Sequence, residues 1–330
     1  MNLSEIFEAF NNLRVLIIGD VMVDSYLWGK VDRISPEAPV PIVSVKKREK
    51  RLGGAANVAL NVKSLGAEPI LCAVIGADTD GQDFLQLLDE SELTREGIVA
   101  SASRITTIKH RIISGSQQML RIDSEMENLL LAQEKADLTK KILGLLPNSD
   151  VVIFEDYDKG VLDEGLIQEI TEAARKLEIP IIVDPKKRNF LHYKHATLFK
   201  PNLKELREGL KIDFNVAHRD ELEGALDQLK QHLQLEGVLL TLSERGVFID
   251  LDGEKHHIPA HIRQISDVSG AGDTVVSIAA LCLALKLPPL VIAELSNLGG
   301  GLVCEYAGVV PVDKQKLLEE AIENSIQIKN

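Results

Sequence analysis

Apolar residues recur along the chain in short unbroken runs that alternate with longer stretches of helical spacing. Residues 14–20 (RVLIIGD) form a nearly continuous apolar run ending in Gly-Asp, the pattern of a central parallel strand. Similar runs predict strands at 70–75, 150–154, 180–184 and 197–200. Helices are predicted near 81–90, 135–146, 163–176, 203–210 and 219–233. Strands at 238–241, 246–250 and 255–258 follow, and two apolar helices, 271–285 and 290–306, close the body. This alternation predicts an α/β fold: a doubly wound, mostly parallel sheet flanked by helices.

The texture changes between residues 31 and 51. ISPEAPVPIVSVKKREKR holds three prolines, then an alternating apolar-polar stretch at 42–46. Residues 104–113 and 117–123 also read as extended, with a turn at 114–116. These pieces predict a small β-sheet lid, built from about 31–51 and 104–123, on one domain spanning 1–330. Such a sheet has one exposed face unless it covers a site or pairs with a second copy, so a homodimer through the lid is expected.

Composition narrows the function. With 37 basic and 50 acidic residues among 330, the formal charge is −13, which disfavours nucleic-acid binding. An anionic substrate would need a local cluster of bases and amides. Cys72, Cys282 and Cys304 sit in apolar segments without C-x-x-C spacing and read as buried thiols of a reducing cytoplasm. The N-terminus MNLSEIFEAFNNL carries acids and amphipathic spacing, unlike a signal peptide, and no apolar run is long enough to span a bilayer, so no membrane partner is expected.

The chemistry concentrates in residues 266–274, SDVSGAGDT. Small residues opening a helix leave backbone N–H groups free, and the helix dipole favours an anion there. Asp273 puts a carboxylate beside that hole, a pairing suited to phosphoryl transfer to an alcohol. The plainer alternative makes Gly270 and Gly272 turn glycines and Asp273 a helix-start acid. Asp20 and Asp24 follow the first strand, where open α/β sheets place their ligands, and each reads either as a sugar-hydroxyl acceptor or as a turn residue. Gly53, Gly54, Ala55, Ala56 and Asn57 open a helix over which a ligand or a strand can approach closely. Polar groups recur at later strand ends: Glu155, Asp156 and Lys159; Asp184 and Lys186; Asn202 and Glu205; Thr241 and Ser243. Carboxylates and an amide near a triphosphate suit Mg²⁺, although Asn202 and Glu205 also fit a reciprocal helix cap. No G-x-x-x-x-G-K-[ST] occurs, nor a strand-linked G-x-G-x-x-G with a distal acid. His192 and His195, and the adjacent His256 and His257, lack a third ligand for zinc.

In order, GDVMVD, GGAAN, NLKE, TLSERG and DVSGAGD resemble the motifs of the ribokinase (PfkB-type) family of carbohydrate kinases, over essentially the whole chain. RISPEAPVPIV, GGAANVALNVKSLGA, EDYDKG and VDPK are similar to signatures of the subgroup acting on heptose 7-phosphate. The resemblance implies a ribokinase-like fold, ATP and Mg²⁺ as cofactors, and phosphoryl transfer to the anomeric hydroxyl of a sugar phosphate. It implies Asp273 as general base and Gly270, Ala271 and Gly272 as the anion hole. Asp24, Gly53, Gly54 and Asn57 fall in the implied sugar site, and Asn202 and Glu205 organise Mg²⁺ through water. Thr241, Ser243 and Gly246 line the nucleotide phosphates, Asn297 lies toward the adenine, and Lys159 and Lys186 contact phosphate. Asp156 joins the substrate side from its strand-end position. For the phosphate already on the sugar the candidates are Arg33, Lys109, Arg111, Arg121 and Lys187, with Arg111 and Arg121 preferred.

There are departures from the family pattern. Ser269 stands for the common threonine, Ser243 for a glycine, and Glu155 for a serine. The tail YAGVVPV lacks a hydroxyl-rich ending, which counts against a monovalent-cation site without removing it. Relatives of the subgroup can carry a fused nucleotidyltransferase, a step this chain is expected to leave to another protein. The alternatives are a related kinase for another sugar, sugar phosphate or nucleoside, a non-catalytic sugar-binding regulator and, more distantly, a nicotinamide dehydrogenase.

Overall fold

A computed structural model describes residues 1–115 and 117–326; Ser116, in the expected turn at 114–116, and residues 327–330, at the end of the expected domain, lie outside them. Helix α1 (Leu3–Ala9) starts at Asn2, whose side chain accepts from the Glu5 N–H while the Glu5 carboxylate accepts from the Asn2 N–H. Its Ile6 and Phe7 enter the core. Strand β1 (Arg14–Gly19) follows, then the long β2 (Val21–Ile34) and β3 (Pro41–Gly54), α2 (Ala55–Ser64), β4 (Glu68–Gly76), α3 (Thr79–Glu90), β5 (Ile98–Ser101), β6 (Ile108–Ser114) and β7 (Gln117–Ser124). The second half runs α4 (Ala132–Leu145), β8 (Val151–Glu155), α5 (Glu164–Lys176), β9 (Ile181–Asp184), β10 (Leu198–Phe199), α6 (Leu203–Leu210), α7 (Arg219–Leu233) and β11 (Gly237–Thr241). β12 (Val247–Leu251), β13 (Glu254–Ile258), α8 (Ala271–Ala284), α9 (Pro289–Val303) and α10 (Lys314–Glu323) complete it.

Nine strands form one sheet in the order β13-β12-β11-β10-β9-β8-β1-β4-β5. It is parallel from β11 to β5, and β12 and β13 add an antiparallel edge. β1 lies between β4 and β8, and its run is apolar because both faces are covered. Val15 and Ile17 join the cluster formed with α1, α2, α8 and α9. Leu16 and Ile18 join the cluster formed with α4, α5 and α7. The sheet is thus doubly wound, as the alternation predicts.

The small sheet has the order β3-β2-β6-β7. It begins at Val21, ten residues before the expected boundary, and extends to Gly54 rather than Arg51. The first half of β2 is buried on both faces, so its side chains do not alternate and give no strand signal. β10 keeps only two residues of the predicted 197–200, and α1, β5 and α10 form without having been predicted as elements. The three cysteines are free and buried. Among the described residues, no helix is long and apolar enough to cross a membrane.

Candidate active site

Helix α8 opens at Gly270, which caps it in the left-handed region at φ 81°. Ala271 N–H turns back to the Val268 carbonyl at 3.3 Å, while the N–H groups of Gly270, Gly272 and Asp273 find no acceptor among the described residues. Of the three residues expected to form the anion hole, Ala271 thus has its N–H engaged, while Gly270 and Gly272 present free amides, and the Asp273 amide is free beside them. Asp273 is 8% exposed. Its Oδ2 accepts from Asn57 Nδ2 at 2.6 Å and its Oδ1 from the Tyr157 hydroxyl at 2.9 Å. Burial raises its pKa above the ordinary carboxylate value, the Asn57 bond opposes this, and the charge of Asp184 adds to it. Such a group is a stronger base than a surface aspartate. Thr274 Oγ1 donates to Asn61 Oδ1 at 3.0 Å, tying α8 to α2.

The carboxyl ends of β8, β9 and β10 face this helix mouth. Glu155 is fully buried, and burial followed by the charges of Asp184 and Asp273 pushes its pKa well up. Asp184 Oδ2 lies 2.9 Å from Lys200 Nζ, and Lys200 is only 3% exposed. A Cβ placed on Gly272 would stand 3.7 Å from both of these atoms, so Lys200 borders the amide hole directly. Lys186 Nζ bonds Glu205 Oε1 at 3.1 Å and sits 5.3 Å from the Tyr157 ring centre. Burial would lower the Lys186 pKa, but the Asp184, Glu205 and Glu155 charges override it and hold the group protonated. Sequence reasoning missed Lys200 and Tyr157. Lys200 ends the predicted strand at 197–200 and Tyr157 lies inside EDYDKG, so strand-end position was the available signal.

Asp156 takes the other side of the sheet. It accepts from Tyr193 Oη at 2.6 Å, Asn189 Nδ2 at 2.9 Å and its own loop's Asp158 N–H at 2.8 Å, and it has no exposure. The structure thus turns it into the protein, away from the expected substrate side. Asp20 is likewise inward, accepting the N–H groups of Tyr157, Lys159 and Val161 at 2.9, 3.0 and 3.0 Å. Burial, with Asp156 beside it, raises its pKa to about 6. This carboxylate shapes the loop that carries Tyr157, which answers the choice between turn residue and sugar ligand.

Among the residues expected at a sugar site, close packing dictates both glycines. A Cβ on Gly53 would meet Asp24 Oδ2 at 2.5 Å, and one on Gly54, at φ 61°, would meet the Asp20 carbonyl at 2.5 Å. Asp24 is buried on β2 and pairs with Arg111 of β6. Arg111 and Arg51 lie over Tyr26, at 5.3 and 5.0 Å from its ring centre. Arg51 was not anticipated; it bonds Glu49 and also donates to the Val309 carbonyl at 3.4 Å, joining the small sheet to the segment after α9. Arg121 is opposite Arg111 in the register but half-exposed and bonded to Asp123. Lys159 Nζ meets Glu125 at 2.9 Å and Glu127 at 3.2 Å, and Lys109 meets Asp123 and Glu125 at 3.1 and 3.0 Å. Both ammonium groups are taken up by carboxylates rather than free for phosphate. Arg33 is exposed, and Lys187 lies 3.9 Å from Glu208 on the surface.

The nucleotide-side candidates cluster along β11 and its neighbours. Asn202 and Glu205 form the reciprocal cap of α6, with bonds of 2.9 and 2.8 Å. Thr241 bridges to Asn202, Ser243 starts the turn into β12, and Gly246 closes it at φ 87°. A Cβ on Gly246 would meet the Ile258 carbonyl at 1.9 Å, so close strand approach accounts for this glycine. Asn297 donates to the Pro259 carbonyl at 2.9 Å and anchors the chain leaving β13.

This helix mouth, basic pair and carboxylate end lie in a chain whose residues 12–315 match the model for the pfkB family of carbohydrate kinases. The chain belongs to that family. Among curated relatives, the bifunctional protein HldE of Syntrophotalea carbinolica is 37% identical over 99% of this chain and 66% of that protein. HldE of Helicobacter pylori strain HPAG1 is 40% identical over 89% of this chain and 63% of its own length. The chain thus spans about two thirds of these relatives. Escherichia coli phosphofructokinase-2 in complex with fructose-6-phosphate superposes with a TM-score of 0.76 at 18% identity, covering 93% of this chain and 99% of that one. Arabidopsis thaliana ribokinase complexed with ribose and ATP gives 0.73 at 16%, with the same coverage. These two establish the ribokinase-like fold. Membership of the pfkB family makes the protein a phosphotransferase that uses ATP and acts on a sugar hydroxyl.

Proposed function

We propose that the protein transfers the γ-phosphoryl group of ATP to the anomeric hydroxyl of D-glycero-β-D-manno-heptose 7-phosphate, giving the 1,7-bisphosphate and ADP in the cytoplasm. The observation that carries the chemistry is Asp273, held by Asn57 and Tyr157 beside the unpaired amides of α8. Asp273 takes the proton as the sugar oxygen bonds to the γ-phosphorus, and the bridge bond to the β-phosphate breaks with its electrons leaving on ADP. The amides of Gly270, Gly272 and Asp273 receive the charge that spreads over the moving group, and Lys200 and Lys186 add positive potential. The heptose phosphate follows from the subgroup motifs and is in keeping with the HldE relatives. Of the basic candidates, Arg111 is favoured for the 7-phosphate: it bonds Asp24 through Nη1 and keeps further N–H donors, and Arg51, itself bonded to Glu49, lies beside it over Tyr26.

Magnesium bound to ATP neutralises the triphosphate. Asn202 and Glu205 would hold it through water, since their oxygens already serve the α6 cap and Lys186 while keeping spare lone pairs. The lid supports a homodimer: Leu120 and Ile122 are 53% and 47% exposed, on the face opposite Arg121. Light scattering of the purified chain tests this, and a monomer at micromolar concentration would refute it.

The function is tested by ADP release across heptose 7-phosphate, fructose phosphates, ribose and adenosine. Heptose 7-phosphate should give the highest kcat/KM. Preference for another acceptor would place the enzyme elsewhere in the family, and no sugar-dependent release would favour a non-catalytic binding protein.

A further inference from the structure

One group in the site has no role in the transfer just described. Glu155 has no exposure, and neither of its carboxylate oxygens has a hydrogen-bond partner among the described residues. One oxygen each from Glu155, Asp184 and Asp273 lie within 4.8 Å of one another. The nearby lysines serve other members of the group: Lys200 bonds Asp184, and Lys186 bonds Glu205 and approaches Asp184 at 3.9 Å. Three carboxylates thus share two ammonium groups, and the one left over is the most buried. A carboxylate without partners in such a place is strongly unfavourable, and its cost is relieved when a positive species sits among the oxygens. The donor set is oxygen only, with no histidine or thiolate among it, which selects a hard divalent ion over zinc or copper.

We propose that Glu155 and Asp184, with Asp273 bordering the site as the base, directly hold a divalent cation of the Mg²⁺ or Mn²⁺ class, and do so before nucleotide arrives. This site differs from the water-mediated one at Asn202 and Glu205, whose ion comes with ATP. Asp273 keeps its bonds to Asn57 and Tyr157, so the new ion leans mainly on Glu155 and Asp184. Water completes its shell, as these ions prefer. The inference does not depend on which sugar is phosphorylated.

The test is Mn²⁺ binding to the nucleotide-free full chain, read by electron paramagnetic resonance and repeated with Mg²⁺ as competitor. The expected result is saturable binding that Mg²⁺ displaces and that Glu155→Gln weakens by roughly tenfold or more. Thermal melting gives an independent reading. In chelator, Glu155→Gln should melt above the wild type, because a buried unpartnered charge is gone; saturating Mn²⁺ should raise the wild-type midpoint clearly more than the variant's. Glu155→Ser serves as the second variant if the glutamine packs badly. Absence of Mn²⁺ binding by the wild type without nucleotide overturns the proposal whatever the variants do, and assigns the relief of Glu155 to a proton. Binding retained within threefold in a folded Glu155 variant also overturns it, placing the ion elsewhere. Neither result bears on whether ATP and a sugar are turned over, so this proposal and the kinase reading can fail separately.

Discussion

Glu155 and Asp156 are consecutive and equally buried, yet the protein treats them in opposite ways. Strand parity sends Glu155 to the α8 face of the sheet and Asp156 to the face covered by α5. Asp156 meets three donors, from Tyr193, Asn189 and the Asp158 backbone. Glu155 meets none and stands among other carboxylates. The same contrast separates Asp20, which fastens the 157–161 loop by three backbone bonds, from Asp273, whose two donors leave it beside free amides. Carboxylates on the α5 face build the scaffold. On the α8 face Lys200 serves Asp184, Asn57 and Tyr157 serve Asp273, and Glu155 alone of the three has no partner among the described residues.

The sharpest way to break this contrast is Gly272→Ala. The added Cβ has only ordinary 3.7 Å neighbours and replaces a helical glycine, so melting should hold or rise by up to about 1 kcal/mol in stability. The methyl nevertheless stands at the amide hole, and kcat should fall on the order of 10²-fold. Activity kept within threefold would mean the phosphoryl group passes elsewhere. On the other face, Asp156→Ala should show the reverse. Two buried donors and one part-buried donor lose their acceptor, at roughly 3 kcal/mol by denaturant unfolding, while kcat per folded molecule changes less than about threefold. Stability unaffected by this change would deny Asp156 its scaffold role.

Tyr157→Phe is milder and sharpens the assignment of the base. The hydroxyl bond lowers the Asp273 pKa against the larger upward push of burial. Its removal therefore moves the acid limb of kcat/KM to higher pH, with kcat down roughly tenfold. A limb that stayed in place would detach Asp273 from the pH profile.

The parts legible in the sequence were those whose signal is local. Residues 14–20 and the βα repeats announced the doubly wound sheet because burial on both faces demands unbroken apolar runs. SGAGD announced the helix mouth because small residues before an acid have few other uses. The first half of β2 escaped because Val21–Tyr26 is buried on both sides and carries Asp24 and Ser25 within it. Asp156 was misplaced because the letters E-D record two charges and not which face each will take. Tyr157 was invisible as a partner of Asp273, 116 residues away, until the fold joined them. Lys159 looked like a phosphate ligand until Glu125 and Glu127 were brought to it from the segment that follows the small sheet's last strand.

The most direct test of the account is Asp273→Asn, studied by ATP binding and single-turnover transfer to heptose 7-phosphate on the same sample. The asparagine keeps the shape and loses the proton acceptor, so ATP affinity should stay within about threefold while transfer slows by roughly 10²–10⁴. Transfer at the wild-type rate would contradict the account, because the carboxylate at the mouth of α8 would then have no part in removing the sugar's proton.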